Sequence, residues 1–168
     1  FHLQVSVQDL LLDELLRSFA PESADRWAGS LTLASSVQGL GIDIVSCRSE
    51  HDVAVSEVEL TGHPLIQKIA EFFQAEDLQR LQFSQVTARM VTNLGTAHIT
   101  NLRMDGPVLR VRGDGTTSLV DTTLDLRLQL EVPIQYAGKI SALASLLPKL
   151  TGDAGFVRIP FHLSGTWA

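Results

Sequence analysis

From Thr122 to Val132 the chain alternates without a break. Leu124, Leu126, Leu128, Leu130 and Val132 take every second position, and Asp125, Arg127, Gln129 and Glu131 fill the places between. Side chains along a strand point to opposite faces in turn, so this segment hides its leucines best as a strand with one apolar and one wet face. A sheet wetted on one side is the antiparallel kind, because the crossovers of parallel sheets cover both sides. The same period returns in Leu3, Val5 and Val7, in Leu31, Leu33 and Val37, and in Val157, Ile159, Phe161 and Leu163.

Two strands change phase partway. Val53 and Val55 give way to Val58 and Leu60, and Ala97 and Ile99 to Leu102 and Met104. A shift of one residue would turn the apolar set to the wrong face unless a bulge absorbs it, and bulges bend and twist the strand. The sequence therefore predicts a strongly curved sheet.

Three segments follow the helical period instead. Leu10, Leu11, Leu15, Leu16 and Phe19 come after Asp9 as N-cap and before Pro21; Leu65, Ile66, Ile69, Phe72 and Phe73 follow Pro64; Ile140, Leu143, Ala144 and Leu147 precede Pro148. Turn signals separate the strands at Asp105-Gly106-Pro107, Gly113-Asp114-Gly115 and Thr151-Gly152-Asp153. The expected fold class is α+β: a strongly curved antiparallel sheet of about seven to eight strands with three short amphipathic helices. At 168 residues, and about 150 residues per domain, residues 1–168 make one domain. The chain opens inside a strand pattern at Phe1 and stops just after one near Ala168, as an excised part of a longer protein would.

Composition narrows the function classes. Nineteen acidic against thirteen basic residues give a net charge of -6, and the cations are scattered, so a nucleic-acid partner is not expected. Mean hydropathy is slightly apolar at +0.16, yet no apolar run approaches the ~20 residues of a membrane span. The single cysteine, Cys47, leaves no intramolecular disulfide and no cysteine zinc site. His2, His51, His63, His98 and His162 are dispersed, with none at metal-ligand spacing; His2 and His162 would be neighbours only if the terminal strands paired. No Gly-x-Ser-x-Gly elbow is present, and Asp114 to Asp121 reads as a turn and strand rather than a protease aspartate loop. No catalytic residue, metal or cofactor is expected, and no enzyme.

Two stretches carry a family resemblance. Asn101 to Gly115, with the glycine pair Gly113 and Gly115, then Leu119 and Thr123 to Leu128, resembles the C-terminal region of AsmA-like proteins. The ending Ile159-Pro160-Phe161, followed by Ser164-Gly165-Thr166-Trp167, resembles the end of that family. The likeness covers about the second half of the chain, from Leu81; before it, Gly39-x-Gly41-x-Asp43 and the helix after Pro64 stand in familiar order. The family, with its larger TamB-like members, implies a non-enzymatic periplasmic envelope module in outer-membrane biogenesis or lipid transport. It also implies inner-membrane anchoring through a segment outside this chain, and a relative in type II secretion assembly.

The residues bear on that implication independently. Seven or eight strands at about 4.8 Å span roughly 35 Å, and three helices of about 10 Å diameter cover about 30 Å. The apolar face is thus either sealed by its own helices or left with a groove at one edge. An open groove that took up a 16-carbon acyl chain would gain on the order of 12 kcal/mol before entropic costs. The candidate lining is Leu109, Val111, Leu124, Leu126, Leu128, Leu130, Val157, Ile159 and Phe161, and the expected partners are phospholipid or acyl chains and neighbouring envelope domains or proteins. The alternative is a structural module whose sheet edges extend the sheets of neighbours.

Overall fold

Strands with one apolar face must align those faces side by side, and here they do so in chain order. The computed structural model describes residues 1–19, 21–39, 47–62, 64–137 and 155–166. Its strands are β1 (His2–Leu11), β2 (Trp27–Gln38), β3 (Arg48–Thr61), β4 (Arg80–Asn93), β5 (Thr96–Asp105), β6 (Arg110–Ser118), β7 (Thr123–Pro133) and β8 (Phe156–Thr166). They form one antiparallel sheet in the order β1 to β8, curled but not closed, so β1 and β8 are its edge strands among the described residues. Helices α1 (Leu12–Phe19) and α3 (Pro64–Phe73) exceed one turn; α2 (Pro21–Ala24), α4 (Ile134–Ala137) and a 3-10 turn (Glu76–Gln79) do not. The described residues are mostly strand. The helix expected over Ile140 to Leu147 lies outside them.

The register carries the argument. Leu10, Leu31, Val55, Val86, Met104, Val111, Leu130 and Ile159 are successive cross-strand partners, one from each strand. Directly opposed residues of an antiparallel pair share a face, so this is one apolar row crossing all eight strands. Beyond it, at one end of the sheet, lie Val58, Leu60, Leu81, Phe83, Leu109, Val132 and Val157, all buried. Ile66, Ala70 and Phe73 of α3, with Ala75, Leu78 and Tyr136, belong to the same buried cluster and cap that end.

Holding the row across eight strands takes bulges. In β5 the register shifts between Ile99 and Leu102, with Asn101 at φ 54°. In β3 the register against β2 shifts between Ser30↔Ser56 and Ala28↔Glu59, with Glu57 at φ 52°, while the pairing with β4 keeps its register. Both coincide with the phase changes in the sequence. A third overturns an expectation. Asp9 does not cap a helix that includes Leu10 and Leu11; β1 continues through Leu11 and α1 starts at Leu12. Asp9 sits instead at a bulge with φ 53°, accepting a 3.4 Å hydrogen bond from the Ser30 hydroxyl. The bulge returns Leu10 to the apolar face opposite Leu31. Strand pairing and burial in the core outweigh the local helical pattern.

Gly113-Asp114-Gly115, expected as a turn between strands, instead lies inside β6, because both glycines pair with β7. Gly113 and Gly115 face Leu128 and Leu126 across β6 and β7. A Cβ on Gly113 would stand 2.6 Å from Leu128 Cδ2; one on Gly115 would stand 2.8 Å from Leu126 Cα and closer still to the Asp125 carbonyl oxygen. Neighbouring strands approach this closely only if the position lacks a side chain. Gly115→Ala is expected to lower unfolding stability by about 1–3 kcal/mol in a urea titration, through overpacking against backbone.

Candidate functional site

Three more rows continue the apolar face away from the helix-capped end. The second runs Val7, Leu33, Val53 and Ala88, then, past the β5 bulge, Leu102, Gly113, Leu128 and Phe161. The third is Val5, Ser35, His51, Met90, Ile99, Gly115, Leu126 and Leu163; the fourth is Leu3, Val37, Ser49, Thr92, Ala97, Thr117, Leu124 and Gly165. Polar side chains thus enter only in the third and fourth rows, farthest from the capped end.

The nine expected lining residues divide along this gradient. Leu109, Val111, Leu130 and Val157 are buried in the core. Leu124, Leu126, Leu128 and Ile159 are half-buried, and Phe161 is 44% exposed on the edge strand β8. The opposite edge is opener still: on β1, Leu3 is 51% and Val5 40% exposed. Between the edges the fourth row is covered, with Ser49, Thr92 and Ala97 all buried. Accessible hydrocarbon on the apolar face therefore lies at both edges of the sheet, and the β4–β5 and β6–β7 turns expose Leu94, Leu119 and Val120 as well.

Within the third and fourth rows lies a polar cluster that the sequence reading passed over. Alternation from Val53 and Val55 carries His51 and Ser49 onto the apolar face, and alternation from Leu33 and Val37 does the same for Ser35. Its signal was a polar residue at an apolar-parity position. Ser35 Oγ stands 2.8 Å from His51 Nδ1, and Ser49 Oγ 2.8 Å from His51 Nε2. In a neutral imidazole one nitrogen donates and the other accepts, and the two hydroxyls can answer either tautomer. Burial lowers the His51 pKa below its usual 6.5, because charge is costly among apolar side chains. Glu50 and Asp52, its sequence neighbours, alternate to the other face, so no carboxylate of β3 orients the ring. The cluster is a neutral staple between β2 and β3.

The wet face holds the charged groups. Ion pairs cross it at Arg80–Glu59, Arg89–Glu50, Arg112–Asp105 and Arg158–Glu131. His162 Nε2 lies 2.6 Å from Asp125 Oδ1, with both side chains more than half exposed, where water screens the pair. His2 and His162 are on opposite edges of the sheet, since β1 and β8 do not pair. Among the described residues no group of three or more His, Cys, Asp or Glu could hold a metal, and no helix is long and apolar enough to cross a membrane.

Comparison with family models, curated proteins and solved structures finds no match to the chain. Geometry alone must then carry the reading of the site.

The staple has a pH signature. The folded-state pKa of His51 is lowered, so the unfolded chain binds the proton more readily, and acid favours unfolding. Its contribution is fully present above about pH 6.5 and is lost as pH falls through the depressed folded value. His51→Gln is expected to flatten the decline in denaturation midpoint between about pH 7 and 5, compared with the unsubstituted chain.

Proposed function

We propose that this chain is a non-enzymatic module of the bacterial cell envelope that shelters acyl chains on the apolar face of its sheet. In this reading it is an AsmA-like α+β domain. It belongs to a longer periplasmic protein held at the inner membrane by a segment outside the chain, and serves lipid passage or outer-membrane biogenesis. One observation carries the proposal: half-buried Leu124, Leu126, Leu128 and Ile159 lead to the exposed Phe161 at the open β8 edge. Hydrocarbon laid along that strip would cover surface the protein leaves partly wet, at about 25 cal/mol per Å². Such binding is non-directional and needs no convergent polar groups.

A second reading is favoured by β1. An edge strand normally defends itself with lysine, proline or a covering element. β8 has Pro160, but β1 has neither proline nor lysine and exposes Leu3 and Val5. β1 suits a junction at which a neighbouring domain continues the sheet and its apolar face.

Two measurements separate these readings. Native mass spectrometry and uptake of a fluorescent fatty acid should show bound lipid, and Leu126→Glu with Phe161→Glu should weaken uptake by about tenfold or more. Absence of both copurified lipid and uptake overturns the lipid reading. For the junction, replacing Leu3 and Val5 by lysine should reduce self-association of the chain in sedimentation velocity, with its melting temperature kept. Unchanged association overturns it.

A further inference from the structure

The wet face of β5, β6 and β7 carries a feature that the apolar-face reading does not use. Arg103 and Arg112 are direct cross-strand partners, and like charges so placed repel. Arg112 faces Gln129 on its other side, and Arg127 lies two residues along β7 on the same face. Arg103, Arg112 and Arg127 line an open depression of about 730 Å³ together with Asn101, Gln129, Asp114 and the strand residues Leu102, Gly113 and Leu128. Three guanidiniums thus stand among two carboxylates, Asp114 in the lining and Asp105 beside Arg112, in a chain whose net charge is -6.

The cations are not equivalent. Arg112 is fixed: its Nη1 donates to the carbonyl oxygens of Met104 (3.1 Å) and Val111 (2.9 Å), and its Nη2 to the Asp105 carboxylate. Elsewhere on this face Arg89 is held by Glu50, Arg158 by Glu131, and Arg110 lies over the Phe156 ring. Arg103 and Arg127 are exposed and have no ion-pair partner among the described residues. Asp114 is the direct cross-strand partner of Arg127, yet the two form no ion pair. Two free guanidiniums therefore flank an immobilised third, with amide donors at Asn101 and Gln129 between and beside them.

We infer that this depression binds a phosphate-type oxyanion, gripped by Arg103 and Arg127 and seated against Arg112. Guanidinium forks pair with phosphate in two-point fashion, and a multiply charged anion relieves the repulsion between Arg103 and Arg112. A phosphorylated solute and the phosphomonoester headgroup of a lipid share this chemistry.

Calorimetric titration of the 168-residue chain with inorganic phosphate at low ionic strength tests the inference, alongside flotation with phosphatidylcholine vesicles with and without phosphatidic acid. Saturable binding is expected in at least one arm. It should weaken about tenfold in the R103Q/R127Q double variant. R89Q, whose arginine is already paired, should bind within about twofold of the unsubstituted chain. Both substituted side chains are exposed and unpartnered, so the melting temperature should hold; R127K, which keeps the charge but loses the fork, should give intermediate binding. Phosphate binding without vesicle capture identifies a soluble ligand, and capture by phosphatidate vesicles that the double variant abolishes identifies a headgroup. Failure to bind in both arms, or equal binding by the double variant, overturns the inference. Neither result decides fatty-acid uptake, whose exposed residue Phe161 lies outside this depression.

Discussion

A single lateral row of apolar side chains, one from each of eight strands, organises this molecule. A meander in chain order makes every strand both a neighbour and a spacer, so one strand out of phase would bring polar side chains into the row. The chain prevents this with three-residue spacings where alternation would give two or four: Val7 to Leu10, Val55 to Val58, Ile99 to Leu102. At each stands a residue in the left-handed region, Asp9, Glu57 or Asn101. That conformation costs roughly 1–2 kcal/mol. Burying a Leu or Val contributes about 1.5–3 kcal/mol, and each bulge restores the phase of the residues that follow it. Burial wins, and the added twist curls the sheet.

Curling and covering divide the apolar face into unlike parts. Helix α3 and the 3-10 turn seal one end, where the row and its neighbours form the core. Farther along, glycine, serine, histidine and threonine enter the rows, and His51 is kept neutral by its surroundings between two serines. At the margins the aliphatic and aromatic side chains of β1 and β8 have a strand neighbour on one side only among the described residues, because the sheet does not close. Hydrocarbon capture and sheet extension both draw on this one geometric fact. The wet face meanwhile holds ion pairs that water weakens, so its unpaired arginines gain more from a ligand than from the fold.

Much of this was legible in the chain, and the misses share a cause. Alternation from Leu124 to Val132 named the amphipathic strand, the phase changes at Val55 and Ile99 named two bulges, and the stripe after Pro64 named α3. The stretch after Asp9 misled because leucines at Leu10, Leu11, Leu15 and Leu16 satisfy a helical period as well as a strand with a slip. Only pairing with Leu31 decides between them. Among the lining residues, parity placed Leu109 and Phe161 in one set, whereas the structure buries the first and exposes the second. Parity reports which face a side chain occupies and is silent on what lies over that face.

The sequence by itself determined the period of the chain, and with it the strands, the two faces and the need for bulges, since these follow from bonded geometry within a few residues. Only the tertiary structure decided which residues stand side by side. The row across eight strands, the Ser35–His51–Ser49 staple, the three arginines around one depression and the exposed Leu3 and Val5 at the β1 edge depend on register and curl. Those are set by contacts between residues far apart in the chain, where local periodicity has no hold.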